Sequence, residues 1–386
     1  MSQPIKLAIV SDAVMPWNQG GKEARYSGYI SRLASHEVDA TVYTMKWWKG
    51  EDPVIDGVRH EAIAKKLEMY TAKGHRSIKQ SLIFSLATLK LFSVKGLQAI
   101  EADQIPYLQL FPLWLICKVK GIPLITTWHE YWGFEYWREY LPGVKGVIGG
   151  LVEAIAVQLP THIVAVSDES YERLSKSLGS NKKITKIMSG LPLADMNSIP
   201  RPEIPDSIVY VGRLIDHKRV DLLIDAYRRI VSRPKFSHLR LQIIGSGPQG
   251  EYLATLAKDL PNCEFLGDVP EHSDVWKAIK SAQVLVLPSE REGFGLVVAE
   301  ALALGVPIVT SDHEHNAARH LAKKQPAAYI FKAGNSKSLA KQIVSSLISD
   351  FSRDEAAEIF LRSNPSFDWN VMAKQYSQLI KELVRL

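Results

Sequence analysis

The chain has 386 residues, 46% of them apolar and 23% charged, with 24 glycines and 20 prolines. That balance excludes disordered, collagen-like and disulfide-framework classes, and the length suits about two domains with separate cores. Cys117 and Cys263 are the only cysteines, so no cysteine-based metal site is available and a reducing compartment fits.

Net charge is +6, and the excess is local. Between Arg59 and Lys95 stand Arg59, Lys65, Lys66, Lys73, Arg76, Lys79, Lys90 and Lys95, against Glu61 and Glu68 alone. Leu82, Ile83, Phe84, Leu86, Leu89, Leu91 and Phe92 interleave with them. Residues 59–95 therefore suit an anionic membrane surface, with a solvated helix face as the plain alternative. The apolar run Leu7 to Val10 is too short for a signal peptide, and Gln109 and Pro112 break the stretch Tyr107 to Cys117. A cytoplasmic protein is expected, peripheral on the inner face of the membrane if it meets one. No nucleic-acid motif accompanies the basic segment, so no nucleic-acid partner is expected.

Short β-branched runs alternate with amphipathic stretches, the pattern of βαβ units and parallel sheets. Ile5 to Val10 reads as a buried strand, and Gly20-Gly21 opens a helix towards Ala34. Val38 to Thr44, Pro123 to Thr127 and His162 to Val166 continue the series. Leu191 to Ser207 carries Pro192, Pro200, Pro202 and Pro205, a linker signal. Strands then resume at Ser207 to Val211, Leu239 to Ile244, Cys263 to Leu266, Val284 to Leu287 and Pro307 to Thr310, with helices such as Asp221 to Val231 and Leu296 to Leu304 between them. The expectation is α/β: two doubly wound, Rossmann-like domains facing a cleft. The first covers residues 1–190, the linker 191–206 and the second 207–367. Ligands of such sheets bind beyond the strands' carboxyl ends.

Gly245-Ser246-Gly247-Pro248-Gln249-Gly250 matches the dinucleotide fingerprint after a strand. No acid ends a strand about twenty residues on, so a tight strand-to-helix turn is the better reading. Gly212 ends a strand, and Arg213 and Lys218 follow it in a loop. A guanidinium fork and an ammonium there suit two phosphoryl groups. In Glu292-Gly293-Phe294-Gly295-Leu296-Val297 a loop enters a helix, and the first-turn amides suit an anion. Glu292 and Glu300 are eight apart, and carboxylates bind the vicinal diols of a ribose or a sugar ring. Glu300 lies among Val297, Val298, Ala301 and Leu302, where an unpartnered carboxylate is costly. His129 follows a strand at the binding edge, ahead of Tyr131, Trp132, Phe134, Tyr136, Trp137 and Tyr140. Those rings suit sugars or a lipid interface, or simply fill space.

Taken in order, these residues resemble the retaining glycosyltransferases of family four, glycosyl transferases group 1, with the GT-B fold. Gly20-Gly21 with Glu23, Thr127-Trp128-His129-Glu130, Gly212-Arg213-Leu214 with Lys218, the Glu292–Glu300 pair and Phe367-Asp368-Trp369 carry the resemblance. It implies transfer of a hexosyl group from a nucleoside diphosphate sugar, a UDP- or GDP-sugar, to a hydroxyl of a glycan or lipid acceptor. Neither a cofactor nor a metal is implied. Arg213 and Lys218 would hold the diphosphate, supported by the amides of Gly295, Leu296 and Val297. Glu292 would bind the transferred sugar and Glu300 the ribose, with His129 beside the sugar and Gly20-Gly21 near the diphosphate or acceptor. The first domain would be the acceptor side, with a terminal helix within 368–386 packing back on it. A sugar-nucleotide epimerase on the same fold, or a non-catalytic sugar-nucleotide-binding protein, is the competing reading.

Overall fold

The computed structural model describes residues 3–71, 76–179, 183–201, 205–323 and 325–385. The chain divides into two units, one of residues up to Gly190 with Ser366–Leu386, the other of Leu191–Pro365.

The first unit holds strands β1 (Ile5–Val10), β2 (Val38–Lys46), β3 (Val54–Ile55), β4 (Val58–Lys65), β5 (Ala99–Asp103), β6 (Leu124–Trp128), β7 (His162–Ala165) and β8 (Ile184–Lys186). They form one sheet in the order β3-β4-β2-β1-β5-β6-β7-β8. All neighbours are parallel except the β3–β4 hairpin. Buried apolar runs such as Leu7 to Val10 are what a sheet covered on both faces requires. The strand order reverses between β1 and β5, and parallel sheets bind ligands beyond the carboxyl ends at such a reversal.

The second unit holds β9 (Ser207–Val211), β10 (Arg240–Ile244), β11 (Cys263–Gly267), β12 (Ala282–Leu287), β13 (Ile308–Ser311) and β14 (Ala328–Phe331). Their order is β11-β10-β9-β12-β13-β14, all parallel, with the reversal between β9 and β12. Helix Val220–Val231 covers this sheet through an apolar stripe that includes Leu223, Tyr227 and Ile230.

One boundary differs from the sequence reading. Segment 191–206, expected as a linker, belongs to the second unit: it forms the helix Leu193–Ser198 and buries Leu191, Met196 and Ile199. Pro192 and Pro200 bracket that short helix, and Pro202 lies outside the described residues. The terminal helix, Trp369–Val384, joins the first unit, capped by Asp368 and buried through Trp369, Met372, Tyr376 and Ile380. A methyl on Gly28 would meet the Trp369 indole at 2.3 Å, so only glycine lets the two helices close there.

Glu101 lies in the middle of β5 and is fully buried. Its Oε1 accepts hydrogen bonds from Thr127 Oγ1 at 2.6 Å, Tyr26 at 2.9 Å and Tyr376 at 3.3 Å. Burial pushes its carboxyl up to about 7, against the lowering effect of the Thr127 and Tyr26 hydroxyls. A group that binds its proton more tightly when folded loses stability as pH rises from its unfolded value to its folded one. The wild-type chain should therefore lose stability between pH 4.5 and about 7, by ~1–3 kcal/mol. Thermal denaturation of Glu101→Gln across that window should show the slope flattened; an unchanged slope contradicts the assignment.

Candidate functional site

The second unit gathers the sequence-marked residues at its strand-order reversal. Arg213 and Lys218 follow β9, and the loop 288–295 follows β12. The backbone stitches these loops together, since Glu290 N donates to His217 O at 2.9 Å. Arg219, in a left-handed conformation (φ 52°), bonds Asp221 at 3.0 Å and also pairs with Glu290. Lys218 Nζ then donates to Glu292 Oε1 at 2.6 Å, both side chains largely covered. Arg213 is exposed beside them. Tyr210, buried beneath, donates to Arg213 O at 2.9 Å and steadies that turn.

Glu292 is clamped through its backbone. Its N–H donates to His315 O and its carbonyl accepts from Ala317 N, each at 3.0 Å. Asn316 holds that partner segment in place. Its Nδ2 donates to Thr310 Oγ1 at 2.9 Å, and its Oδ1 accepts from Ala318 N at 3.1 Å. A carboxylate on so fixed a backbone is pre-aimed.

Helix Leu296–Ala303 begins after Gly293, Phe294 and Gly295. Gly295 has φ +86°, and a methyl there would meet Ala318 Cβ at 2.6 Å, so the position requires glycine. The helical ladder starts with Val298 N donating to Gly295 O, which leaves Leu296 and Val297 as first-turn donors. Glu300, one turn on, is buried, and its Oε1 accepts from Trp276 Nε1 at 3.1 Å and meets His272 Nε2 at 2.9 Å. Burial pushes the His272 imidazole down, but the Glu300 hydrogen bond and charge outweigh it, so its pKa is raised. Sequence reasoning missed His272, Trp276 and Asn316, because each acts through a partner distant in sequence.

The Gly245–Gly250 turn meets a packing need, and contrary to the sequence reading an acid does follow the next strand: Asp268, after β11, accepts from Ser246 Oγ at 2.6 Å. A methyl on Gly245 would meet Gly212 O at 2.1 Å, and one on Gly247 would meet Leu214 O at 2.3 Å. These glycines let the turn lie flush against Gly212–Leu214, joined by Gly212 N to Ile244 O at 3.0 Å and Leu214 N to Ser246 O at 2.8 Å.

In the first unit, His129 follows β6, and its Nε2 lies 3.0 Å from Oδ2 of buried Asp103 at the end of β5. Gln104 Oε1 accepts from the His129 amide at 2.5 Å, which fixes the ring's base. Gly20 caps the helix Gly21–Ile30 in an extended conformation (φ 178°). A methyl on Gly21 would meet nothing within 4 Å, so packing does not demand glycine there. Nearby, buried Asp12 accepts from Lys22 at 2.9 Å and Gln80 at 3.1 Å and pairs with Arg76. Burial raises the Asp12 carboxyl, but the two cations hold it below its ordinary range. The rings of Trp132, Tyr136, Trp137 and Tyr140 pack on one another at 4.7–6.1 Å, which favours the space-filling reading of that run.

Two doubly wound α/β units in tandem define the GT-B class, and solved structures confirm the fold over nearly the whole chain. A sucrose-phosphate synthase from Thermosynechococcus elongatus matches with a TM-score of 0.78 at 18% identity, covering 99% of each chain. The Anabaena protein HepE, solved with UDP and glucose, matches with a TM-score of 0.73 at 15% identity, covering 98% of this chain and 100% of that one. Residues 194–359, within the second unit, match the family model described as Glycosyl transferases group 1. A phosphatidyl-myo-inositol mannosyltransferase of Mycobacterium leprae is 28% identical over 218 residues, 55% of this chain and 56% of that protein. A capsular polysaccharide biosynthesis glycosyltransferase of Staphylococcus aureus is 27% identical over 293 residues, 69% of this chain and 71% of that protein. The chain spans about half the length of the first curated relatives it matches.

Proposed function

We propose that this chain is a retaining glycosyltransferase, moving a hexosyl group from a nucleoside diphosphate sugar to an acceptor hydroxyl without a metal ion. The Lys218–Glu292 contact carries the reading: an ammonium suited to phosphate touches a carboxylate suited to sugar hydroxyls, where a parallel sheet binds ligands. The UDP and glucose bound by HepE support a UDP- or GDP-sugar as donor. The names of the mannosyltransferase and the capsular enzyme support a glycan or lipid acceptor.

Each residue then has a task. Arg213 and Lys218, with the amides of Gly295, Leu296 and Val297, take up the negative charge that grows on the leaving diphosphate. Electrostatic terms of this kind usually contribute most to such a reaction. Glu292 turns from Lys218 to the sugar hydroxyls and opposes the positive charge that develops on the ring. Glu300, oriented by His272 and Trp276, takes the ribose diol. His129, its ring fixed by Asp103, positions the sugar. No site carboxylate is assigned as nucleophile. The bond from the anomeric carbon to the phosphate oxygen breaks, and the acceptor oxygen forms its bond on the same face. Its proton passes to the departing phosphate. NMR of the first-formed product should show the donor's anomeric configuration, at a rate unaffected by a chelator; an inverted anomer overturns the mechanism.

A further inference from the structure

Helix Val144–Ala156 in the first unit is built the wrong way round for a soluble surface. Its glycines face the neighbouring helix Gly133–Tyr140. Methyls on Gly146, Gly149 and Gly150 would meet Leu141 O at 2.2 Å, the Trp137 ring at 2.3 Å and the Phe134 ring at 2.6 Å. Its large apolar residues face outward, with Val144 exposed by 74%, Ile148 by 55% and Leu151 by 53%, and Val147 and Ile155 beside them. Positions 144, 148, 151 and 155 form one helical stripe.

Two more helices also expose large apolar residues. Helix Ile78–Ala87 buries Gln80 and Ser85 yet exposes Ile78, Leu82 and Leu86, and Leu89 and Phe92 continue the face. Helix Leu110–Lys120 exposes Trp114, Leu115 and Val119. The helices Ile78–Ala87 and Leu110–Lys120 touch each other, and the turn Tyr107–Gln109 touches both of them and Val144–Ala156. Phe84, Leu110, Leu113, Ile116 and Ala156 anchor all three helices in one core cluster. Exposed apolar surface on this scale marks an interaction site.

The charges on the face choose the partner. Lys79, Lys90, Lys118, Lys120 and Lys145 lie on or beside these helices. Their single acid, Glu153, is fully buried and bound by Tyr107, Trp132, Gly133 and Trp137. The three helices therefore expose positive charge and no acid, while the adjoining helix Gly133–Tyr140 exposes Glu135 and Glu139 beside Arg138. A second copy docking through the same face would set like charge against like. An anionic bilayer satisfies both features, since the apolar stripes enter the acyl boundary and the lysines meet the headgroups.

We infer that the three-helix face built by Ile78–Ala87, Leu110–Lys120 and Val144–Ala156 docks the chain on an anionic lipid bilayer. This corrects the expected surface, residues 59–95, in extent and in members. Arg59–Lys65 is strand β4 within the sheet, Arg76 is committed to Asp12, and Lys73 lies outside the described residues. Two of the three docking helices lie outside that segment. No helix of the described residues is long and apolar enough to cross a membrane, which accords with lying on the surface.

The full chain should be sedimented with vesicles of phosphatidylcholine alone and with the same lipid containing phosphatidylglycerol, at low and high salt. Binding should favour the anionic vesicles and weaken with salt. Ile148→Glu with Leu151→Glu should lower the partition coefficient roughly tenfold or more, and Lys118→Glu with Lys145→Glu should act likewise. All four side chains are exposed, so nucleoside diphosphate binding should stay unchanged, which separates this inference from the donor-site reading. Equal binding to both vesicle types overturns the proposal, as does undiminished binding by the variants. So does a wild-type dimer that these substitutions dissociate in the absence of vesicle binding.

Discussion

Replacing Lys218 with alanine should weaken nucleoside diphosphate binding roughly ten- to a hundredfold, because a charge-assisted bond to phosphate contributes about 1.5–3 kcal/mol. Arg213→Ala should cost a similar amount. The two differ in what they leave behind. Arg213 is exposed, so water can replace it beside its neighbours. Removing Lys218 also strips Glu292 of the partner 2.6 Å away, in a spot largely shielded from water. Lys218→Ala should therefore also lose stability without ligand, by about 1 kcal/mol, and regain it when combined with Glu292→Gln. Calorimetric titration with UDP and GDP, alongside thermal denaturation, measures both effects. Wild-type affinity in both single variants would remove the diphosphate from this site.

Glu292→Gln and His129→Ala should slow transfer at least tenfold while leaving affinity for the free nucleoside diphosphate almost unchanged. A tenfold loss corresponds to about 1.4 kcal/mol of barrier. Glutamine keeps the size of Glu292 and its clamped backbone but removes the charge that opposes the positive sugar ring. An interaction that strengthens in the transition state appears in kcat rather than in nucleotide binding. His129 differs in support: its ring is tied to Asp103 and its amide to Gln104, so Asp103→Asn should mimic part of the His129→Ala loss. Normal turnover in both primary variants would dissolve the assigned sugar site. Lost nucleotide affinity with normal turnover would move these residues to the nucleotide end of the donor.

Strands rich in β-branched and apolar residues were legible in the sequence. Ile5–Val10 and Ser207–Val211 stand where periodicity put them, because both faces of a parallel sheet must be apolar. Strand β5 escaped for the opposite reason. Its Ala-Ile-Glu-Ala-Asp sequence reads as exposed, yet Glu101 and Asp103 are fully buried. Tyr26, Thr127 and His129 make that burial tolerable, and they come from a helix, a strand and the loop after it, which no local window can see. The same limit hid the supports of the site. Glu300 was legible as a carboxylate in an apolar helix, whereas His272 and Trp276, which orient it, belong to another helix. The glycines were ambiguous in sequence because one residue type serves different needs. Gly245 and Gly247 allow backbones to touch, Gly295 takes a left-handed turn, and Gly21 is demanded by neither.

A panel of nucleoside diphosphate sugars, incubated with the chain with and without glycan and lipid acceptors, tests the central claim most directly through the nucleoside diphosphate released. Release should come from a narrow set of donors, rise with the right acceptor, and fall at least roughly tenfold in Glu292→Gln. A chain that binds UDP or GDP yet releases nothing from any donor, or that returns an epimerised donor without needing an acceptor, would contradict it.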